Sequence, residues 1–129
     1  MKAYIAYFFV VIALLLQSPA HAGADNPALG GYDPVSYFKA FPEKGKRRLV
    51  ATHAGTAYWF SVESNLEEFS SNPERFIPQY SGLCATNYRE GFRRPANPLI
   101  YLLVDGKLYM FSSLSALQRW QVEGVSGQE

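Results

Sequence analysis

Cysteine is almost absent from this chain, whose 129 residues contain only one, Cys84. A single cysteine excludes an intramolecular disulfide and a C-x-x-C redox pair. A closed structural zinc site takes four Cys or His ligands, and the sequence offers only His21 and His53 besides Cys84. Stability must therefore come from a packed core, for which 48% hydrophobic and 16% aromatic residues provide the material.

An excess of charge of one sign is also lacking. The chain has 12 Lys and Arg against 11 Asp and Glu, which gives a formal net charge of +1. Nucleic acid is bound by clustered positive charge. The dense basic group formed by Lys44, Lys46, Arg47 and Arg48 is interpreted as a solvated loop that enters a strand. We therefore expect no nucleic-acid partner.

No hydrophobic run is long enough to cross a bilayer. The apolar run over residues 4–16 has thirteen residues, whereas a spanning helix needs about 20. Lys2 precedes this run and small residues follow it up to Ala22, a pattern typical of a cleaved secretory signal peptide. The pattern predicts a signal peptide over residues 1–22 and one domain over residues 23–129. We expect that domain to be exported to the periplasm or the extracellular space, with no stable membrane span after cleavage.

Two pairs of stretches predict β-hairpins. Residues 48–53 and Thr56–Phe60 are rich in β-branched and aromatic residues and are separated by a short turn. The apolar residues 100–104 and the returning stretch Lys107–Phe111 flank Asp105-Gly106, a favoured two-residue turn. No stretch resembles another closely enough to indicate an internal repeat. The pattern predicts a small single-domain α+β fold in which two antiparallel hairpins pack with short helices.

Capping residues mark the expected helix starts. Asp33, followed by a proline, predicts a short helical turn, because its side chain accepts hydrogen bonds from free amides. Ser64 and the glutamate three positions later have the spacing of a capping box. A further helix is predicted over residues 82–90 with Cys84 in its first turn, and Ser113 is predicted to cap the last one. The side chains expected to face the core are Leu66, Phe69, Leu114, Leu117 and Trp120.

Several stretches, taken in order, match a known family. They are Ala28-Leu-Gly-Gly-Tyr-Asp-Pro-Val-Ser-Tyr-Phe38, His53-x-Gly-x-x-Tyr-x-Phe-Ser61, Asn72-Pro-Glu-Arg-Phe-Ile-Pro-Gln-Tyr80, Gly82-Leu-Cys-Ala85 and Val104-Asp-Gly-Lys-Leu-Tyr109. On these stretches the chain resembles exported single-domain proteins of the YHS-domain family over nearly all of residues 23–129. The resemblance implies a small α+β domain with an N-terminal signal peptide. It also implies a link to metal handling, since some relatives accompany metal-transport proteins and carry cysteines suited to metal binding.

Three soft or borderline metal donors remain after the expected cleavage: Cys84, His53 and Met110. In an oxidising compartment a lone thiol is packed away, used as a ligand or kept reactive. The apolar neighbours of Cys84 suit a packed thiol, whereas a place in the first turn of a helix favours the thiolate. Monovalent copper prefers thiolate and thioether ligands, and a small number of them is enough to bind it. One hypothesis is therefore that these three residues bind copper or another soft metal ion.

Two other functions stay open. An imidazole activates a thiolate nucleophile, so Cys84 with His53 would make a thiol-dependent enzyme. The other function is an interaction module, in which Cys84 is structural and buried while aromatic side chains line a groove for a small ligand or a protein. The candidate groove residues are Tyr32, Tyr37, Tyr58, Trp59 and Tyr80. The sequence favours a binding or accessory module over an enzyme.

Overall fold

The structure is a computed structural model, and it describes residues 25–126. Over this range the chain forms four strands and three α-helices, which are joined by short 3-10 turns. In chain order they are β1 (Lys46–His53), β2 (Thr56–Phe60), α1 (Glu63–Ser71), α2 (Ala85–Arg89), β3 (Asn97–Val104), β4 (Lys107–Phe111) and α3 (Leu114–Ser126). Both sheets are antiparallel hairpins, which confirms the predicted small α+β fold. The predicted signal peptide lies outside the described residues.

The first hairpin turns at Ala54 and Gly55, which both have positive φ, at 49° and 80°. Two successive left-handed residues twist in the same sense as the flanking strands, and glycine adopts this conformation without a steric cost. The strands pair from His53 opposite Thr56 towards Lys46, with a bulge between Lys46 and Val50. The buried face of this hairpin comes mainly from β2.

The second hairpin repeats the first in every pairing. Each of its Cα partners, from Asn97 opposite Phe111 to Val104 opposite Lys107, follows the matching pair of the first hairpin by 51 residues. The bulge and the two left-handed turn residues recur at the same interval. The two hairpins are therefore copies of one structural unit.

The segments before the hairpins recur at the same interval. Three consecutive left-handed residues, 29–31, precede the extended Tyr32, and three more, 80–82, precede the extended Leu83. The isolated bridge from Tyr32 to Lys44 likewise matches the one from Leu83 to Pro95. The fold thus consists of repeat 1, residues 27–75, and repeat 2, residues 78–126. The expectation that the chain has no internal repeat is wrong.

Few identical residues mark this relation in the sequence. Ten positions of repeat 1 carry the same residue 51 positions later: Pro27, Gly31, Tyr37, Phe41, Gly55, Tyr58, Phe60, Ser61, Ser64 and Leu66. Some of these residues serve the backbone, since Gly31 and Gly55 are left-handed as are their counterparts. Others fill the core, since Phe60 and its counterpart are wholly buried. The remaining positions differ because many different side chains fit the same backbone.

Each repeat has its own core, and a third cluster joins the two repeats. The core of repeat 1 contains Val35, Tyr58, Phe60 and Phe69, together with Phe76 from the segment between the repeats. The core of repeat 2 contains Cys84, Ala85, Phe111 and Ala116. The joining cluster contains Leu29 and Tyr37 of repeat 1 with Leu108 and Met110 of repeat 2. The Tyr37 hydroxyl also donates to the Pro98 carbonyl at 2.6 Å, so the repeats form one packed body.

The helix starts differ from the predictions at two places. Helix α1 begins at Glu63 after an extended Val62, so Ser64 is not its cap. The start is set earlier because Ser61, the residue after β2, donates hydrogen bonds to Asp33 through its backbone N–H and its hydroxyl. Helix α2 begins one residue after Cys84, which occupies the N-cap position rather than the first turn. The predicted cap of α3 is confirmed, since the Ser113 hydroxyl accepts the Ala116 N–H at 3.1 Å.

The predicted core face of α3 is wrong at one residue. Leu114 is 68% exposed, and Ala116 is buried instead. Leu117 and Trp120 pack against the core of repeat 2, as expected. Over residues 25–126, no helix has the length and apolar character that a membrane crossing requires.

Candidate functional site

The most highly organised polar site surrounds Asp33, which is wholly buried. Its Oδ1 accepts hydrogen bonds from the backbone N–H groups of Val35 and Ser36, at 2.8 and 3.3 Å. Its Oδ2 accepts from the backbone N–H and the hydroxyl of Ser61, at 2.8 and 2.9 Å, and from Asn65 Nδ2 at 2.8 Å. A buried carboxylate needs such partners. Five donors therefore make an anion cradle that ties the first helical turn to β2 and α1.

Cys84 occupies the equivalent place in repeat 2. It follows Asp33 by 51 residues and is also wholly buried. Its backbone N–H donates to the Arg94 carbonyl at 3.0 Å, just as that of Asp33 donates to the Glu43 carbonyl at 2.8 Å. The thiol of repeat 2 therefore stands where repeat 1 has a carboxylate.

The donors around this thiol correspond to those around Asp33. They are the Ser112 hydroxyl and the backbone N–H groups of Asn87, Ser112 and Thr86. Each of them follows a donor to Asp33 by 51 residues. The fifth donor, Asn65, is replaced by Ala116, which offers no hydrogen bond. Cys84 thus lies in the same kind of cradle with one donor fewer.

The cradle favours the thiolate. Burial by itself disfavours the charged form, but the Ser112 hydroxyl and the three amides outweigh it and lower the pKa of Cys84 below its ordinary 9.0. No capping hydrogen bond of regular geometry forms at this N-cap, so the amides act on the sulfur through their dipoles. The single proton of the Ser112 hydroxyl is also within reach of Asn87 Oδ1, at 3.1 Å. The backbone N–H groups have fixed directions, so they lower the pKa of Cys84 whichever acceptor the Ser112 hydroxyl takes.

The three predicted metal donors are placed in two locations. Cys84 and Met110 share an isolated β-bridge, and both are wholly buried. His53 instead lies at the end of β1, with Nε2 3.0 Å from Glu74 Oε1. In the described part of the chain, no three His, Cys, Asp or Glu side chains form a group able to hold a metal ion. His53 thus contacts Glu74, and Cys84 is bridged to Met110. The catalytic pair of Cys84 and His53 stays a prediction.

His53 and Glu74 form part of the wall of a cleft with a volume of about 410 Å³. His53 comes from the end of β1 and Glu74 from the 3-10 turn after α1. Tyr80 and Ser81, which belong to the turn that opens repeat 2, line the cleft as well. Small-molecule sites commonly enclose about 300–1,000 Å³. The cleft is therefore large enough for a small ligand at the junction of the repeats.

Tyr58 supplies a protonated hydroxyl to the same cleft. Burial raises the pKa of Tyr58, and the nearby Glu74 carboxylate raises it further, because each disfavours a phenolate. Glu74 itself is largely solvent-exposed, and His53 contacts only its Oε1 atom. The cleft thus combines a carboxylate, a neutral phenol and an imidazole with the ring of Tyr80.

The left-handed backbone of Tyr80 and Ser81 is not specific to this cleft. Their φ angles are 55° and 56°, a conformation that is uncommon for residues other than glycine. Leu29 and Gly30, the matching residues of repeat 1, have φ angles of 59° and 60°. The turn therefore belongs to the repeated fold, and its strain does not indicate a function.

Two of the five candidate groove aromatics, Tyr58 and Tyr80, line the cleft. Tyr37 is buried between the repeats, where burial and the neighbouring Tyr32 and Tyr101 raise its pKa. The ring of Tyr32 lies under the Lys44 ammonium, 5.4 Å from its centroid. Trp59 is half-buried, with its ring near Gly31. Of the five candidates, Tyr58 and Tyr80 are thus the ones that the structure places in the cleft.

Sequence reasoning overlooked Glu74 and the partners of Asp33. Glu74 is one of many surface carboxylates, and its pairing with His53 joins two segments that are 21 residues apart in sequence. Asp33 is correctly predicted as a capping residue, but three of its five hydrogen bonds come from residues about thirty positions later. A local motif carries no signal for such partners.

Comparison with known proteins leaves the family open. No family model matches the chain, and neither a curated protein nor a solved structure matches it. The resemblance to the YHS-domain family therefore stays a prediction that rests on the quoted stretches.

Proposed function

We propose that this protein is a small accessory module that binds an organic amine in the cleft between its repeats. The proposal rests on one contact in the wall of that cleft. His53 Nε2 lies 3.0 Å from Glu74 Oε1, and the two residues come from different elements. The YHS-like stretches and the predicted export to the periplasm or the extracellular space agree with an accessory role. The further expectation of a cleaved signal peptide belongs to the same proposal.

The chemistry of the wall selects the ligand class. Glu74 is the acidic side chain among the lining residues, and it can accept hydrogen bonds from an ammonium group with its second oxygen. The half-buried ring of Tyr80 offers surface that attracts a cation and contacts an apolar group. An amine attached to a flat apolar body satisfies both features.

A matched series of three compounds tests this proposal. The compounds are 2-phenylethylamine, 2-phenylethanol and phenylacetate, which share a ring and differ in charge. NMR titration of the protein should show binding of the amine, with shifts at residues 53–56 and 77–81, weaker binding of the alcohol and least binding of the acid. Glu74→Gln should remove the preference for the amine, while Glu63→Gln, an exposed change on α1, should keep it. Equal responses to all three compounds would contradict the proposal.

A second candidate function is the handling of a soft metal ion such as copper. The specific observation in its favour is that the thiol of Cys84 and the thioether of Met110 belong to residues that share a β-bridge, two donors that suit monovalent copper. Both side chains are wholly buried, so uptake requires local opening. Equilibrium dialysis against reduced copper should load the wild-type protein and fail with Cys84→Ser; equal uptake by both proteins would end this candidate.

A further inference from the structure

Repeat 2 carries an open groove with a volume of about 490 Å³. Its wall includes Leu102 and Val104 of β3, Tyr109 of β4, Trp120 of α3 and Arg89 of α2. Val104 is 43% exposed, and the other apolar groups are half-buried. The groove thus presents aromatic and aliphatic surface of repeat 2 to solvent.

The equivalent face of repeat 1 is covered by the chain itself. After α1 the chain turns back through residues 72–78 and inserts Phe76, which is only 2% exposed. The Phe76 ring lies 5.4 Å from the ring of Phe38 and 6.5 Å from that of Phe69, measured between centroids. Tyr58 belongs to the same cluster, and Ala51 packs against it.

The residues around Phe76 correspond to the groove of repeat 2. In the order Phe38, Ala51, Tyr58 and Phe69, their counterparts 51 positions later are Arg89, Leu102, Tyr109 and Trp120. All four counterparts line the groove. The residue 51 positions after Phe76 is Gly127, which has no side chain to insert. The groove in repeat 2 therefore corresponds to the site that the Phe76 ring fills in repeat 1, and repeat 2 provides no equivalent ring.

We propose that this groove is a docking site for an aromatic, proline-flanked segment of a partner protein. The proposal goes beyond the amine cleft, which is lined by different residues. The occupant should resemble residues 72–78, Asn-Pro-Glu-Arg-Phe-Ile-Pro, in which Pro73 begins the 3-10 turn that ends at Phe76. Prolines also reduce the entropy that such a segment loses on binding.

The planar guanidinium of Arg89, which is paired with Glu123, favours an aromatic over an aliphatic anchor. Where repeat 1 has Phe38, repeat 2 has Arg89, whose guanidinium already lies 4.2 Å from the centroid of the Trp120 ring. A guanidinium attracts the negative face of an aromatic ring, so it complements an inserted Phe or Tyr. Where repeat 1 has His53 facing Glu74, repeat 2 has the apolar Val104. The partner segment should therefore have an apolar residue, rather than Glu, two positions before its aromatic anchor.

A second copy of this chain is a poorer occupant. Its Phe41 is 64% exposed and precedes a proline, so it has the chemistry of an anchor. However, Phe41 and the groove are different surfaces of one molecule. A contact between them would join molecules head to tail, and such contacts form open chains unless the rotation closes a ring. A partner protein avoids this consequence.

The test uses a synthetic peptide that repeats residues 71–79 of the chain, with Val in place of Glu74. Two-dimensional NMR of the labelled protein follows the indole N–H signals of its two tryptophans, Trp59 and Trp120. The Trp120 signal should shift in a saturable manner while the Trp59 signal stays in place. A matched peptide with Ala in place of Phe76 should bind at least about tenfold more weakly, as expected for loss of a central anchor.

Two variants locate the binding. Val104→Glu should weaken peptide binding about tenfold or more, since it places a charge in the groove, while Thr52→Glu, an exposed change on β1, should leave it unchanged. Glu74→Gln should also leave it unchanged, which separates this site from the amine cleft. No Trp120 shift up to about 1 mM peptide, or equal shifts with the Phe and Ala peptides, would overturn the proposal. Self-association that Val104→Glu abolishes, without peptide binding, would assign the groove to a second copy and overturn it as well.

Discussion

Asp33→Asn is expected to lower the free energy of unfolding by about 1–3 kcal/mol. The substitution keeps the shape of the side chain but turns one acceptor oxygen into an N–H donor. If the nitrogen takes the place of Oδ1, it faces the backbone N–H groups of Val35 and Ser36. If it takes the place of Oδ2, it faces the backbone N–H of Ser61 and Nδ2 of Asn65. The Ser36 N–H also donates to the Asp33 carbonyl at 3.2 Å, and Asn65 Nδ2 also lies 3.5 Å from the Ser61 hydroxyl oxygen. Either orientation therefore leaves one buried donor, the backbone N–H of Val35 or of Ser61, without an acceptor, at a cost of about 1–3 kcal/mol.

Asn65 cannot relieve this conflict by rotating its amide. Its Oδ1 accepts a hydrogen bond from Lys39 Nζ at 2.6 Å, and rotation would turn the amide nitrogen towards that ammonium. Urea unfolding followed by tryptophan fluorescence gives the free energy of unfolding. Asp105→Asn is the matched control, because Asp105 is an exposed turn residue with φ of 50°, and asparagine tolerates this conformation. The control should change stability by no more than about 0.5 kcal/mol. A loss below about 1 kcal/mol for Asp33→Asn would refute the view that the cradle requires an anion.

Two further predictions concern Cys84 and the glycines. Because the folded state lowers the pKa of Cys84 below 9.0, its thiolate stabilises the fold above that value, and this stabilisation is lost as the pH falls through the folded-state pKa. Cys84→Ala should therefore cost more stability at about pH 10 than at about pH 6, by up to about 1.4 kcal/mol for each unit of pKa lowering; equal urea midpoint shifts at both pH values would contradict this. Gly45→Ala should destabilise by about 1–3 kcal/mol, since the new Cβ would lie 2.6 Å from the backbone carbon of Trp59. Gly124 lies on α3, and nothing is within 4 Å of a Cβ added there. Gly124→Ala should therefore be neutral or stabilising by up to about 1 kcal/mol. Similar thermal shifts for the two glycine variants would count against the steric explanation.

Local sequence signals predicted most of the secondary structure. Asp105 with Gly106 identified the second hairpin because the turn needs two left-handed residues, and Ser113 identified the start of α3 because its hydroxyl reaches a free amide. The capping box at Ser64 failed because a competing long-range contact, from Ser61 to Asp33, sets the start of α1. A local signal predicted the structure correctly where no tertiary contact competed with it. Where a long-range hydrogen bond did compete, that bond determined the structure.

The candidate sites were predictable only in part. His53, Tyr58 and Tyr80 were candidate residues, but their common cleft depends on the junction of the repeats and on Glu74, which no motif marks. The equivalence of Cys84 with Asp33 was also hidden. A carboxylate and a thiol look unrelated in sequence, although hydrogen-bond donors at equivalent backbone positions surround both.

The sequence by itself determined the two hairpins, the α+β class and the scarcity of metal donors, because these follow from local turn chemistry and composition. Only the tertiary structure decided that the chain is a repeat of one unit, that Cys84 lies in an anion cradle, and that repeat 2 has a groove where repeat 1 has Phe76. The physical reason is that backbone hydrogen bonds and core volume constrain the fold far more tightly than they constrain residue identity. Two stretches with ten identical positions therefore adopt the same register.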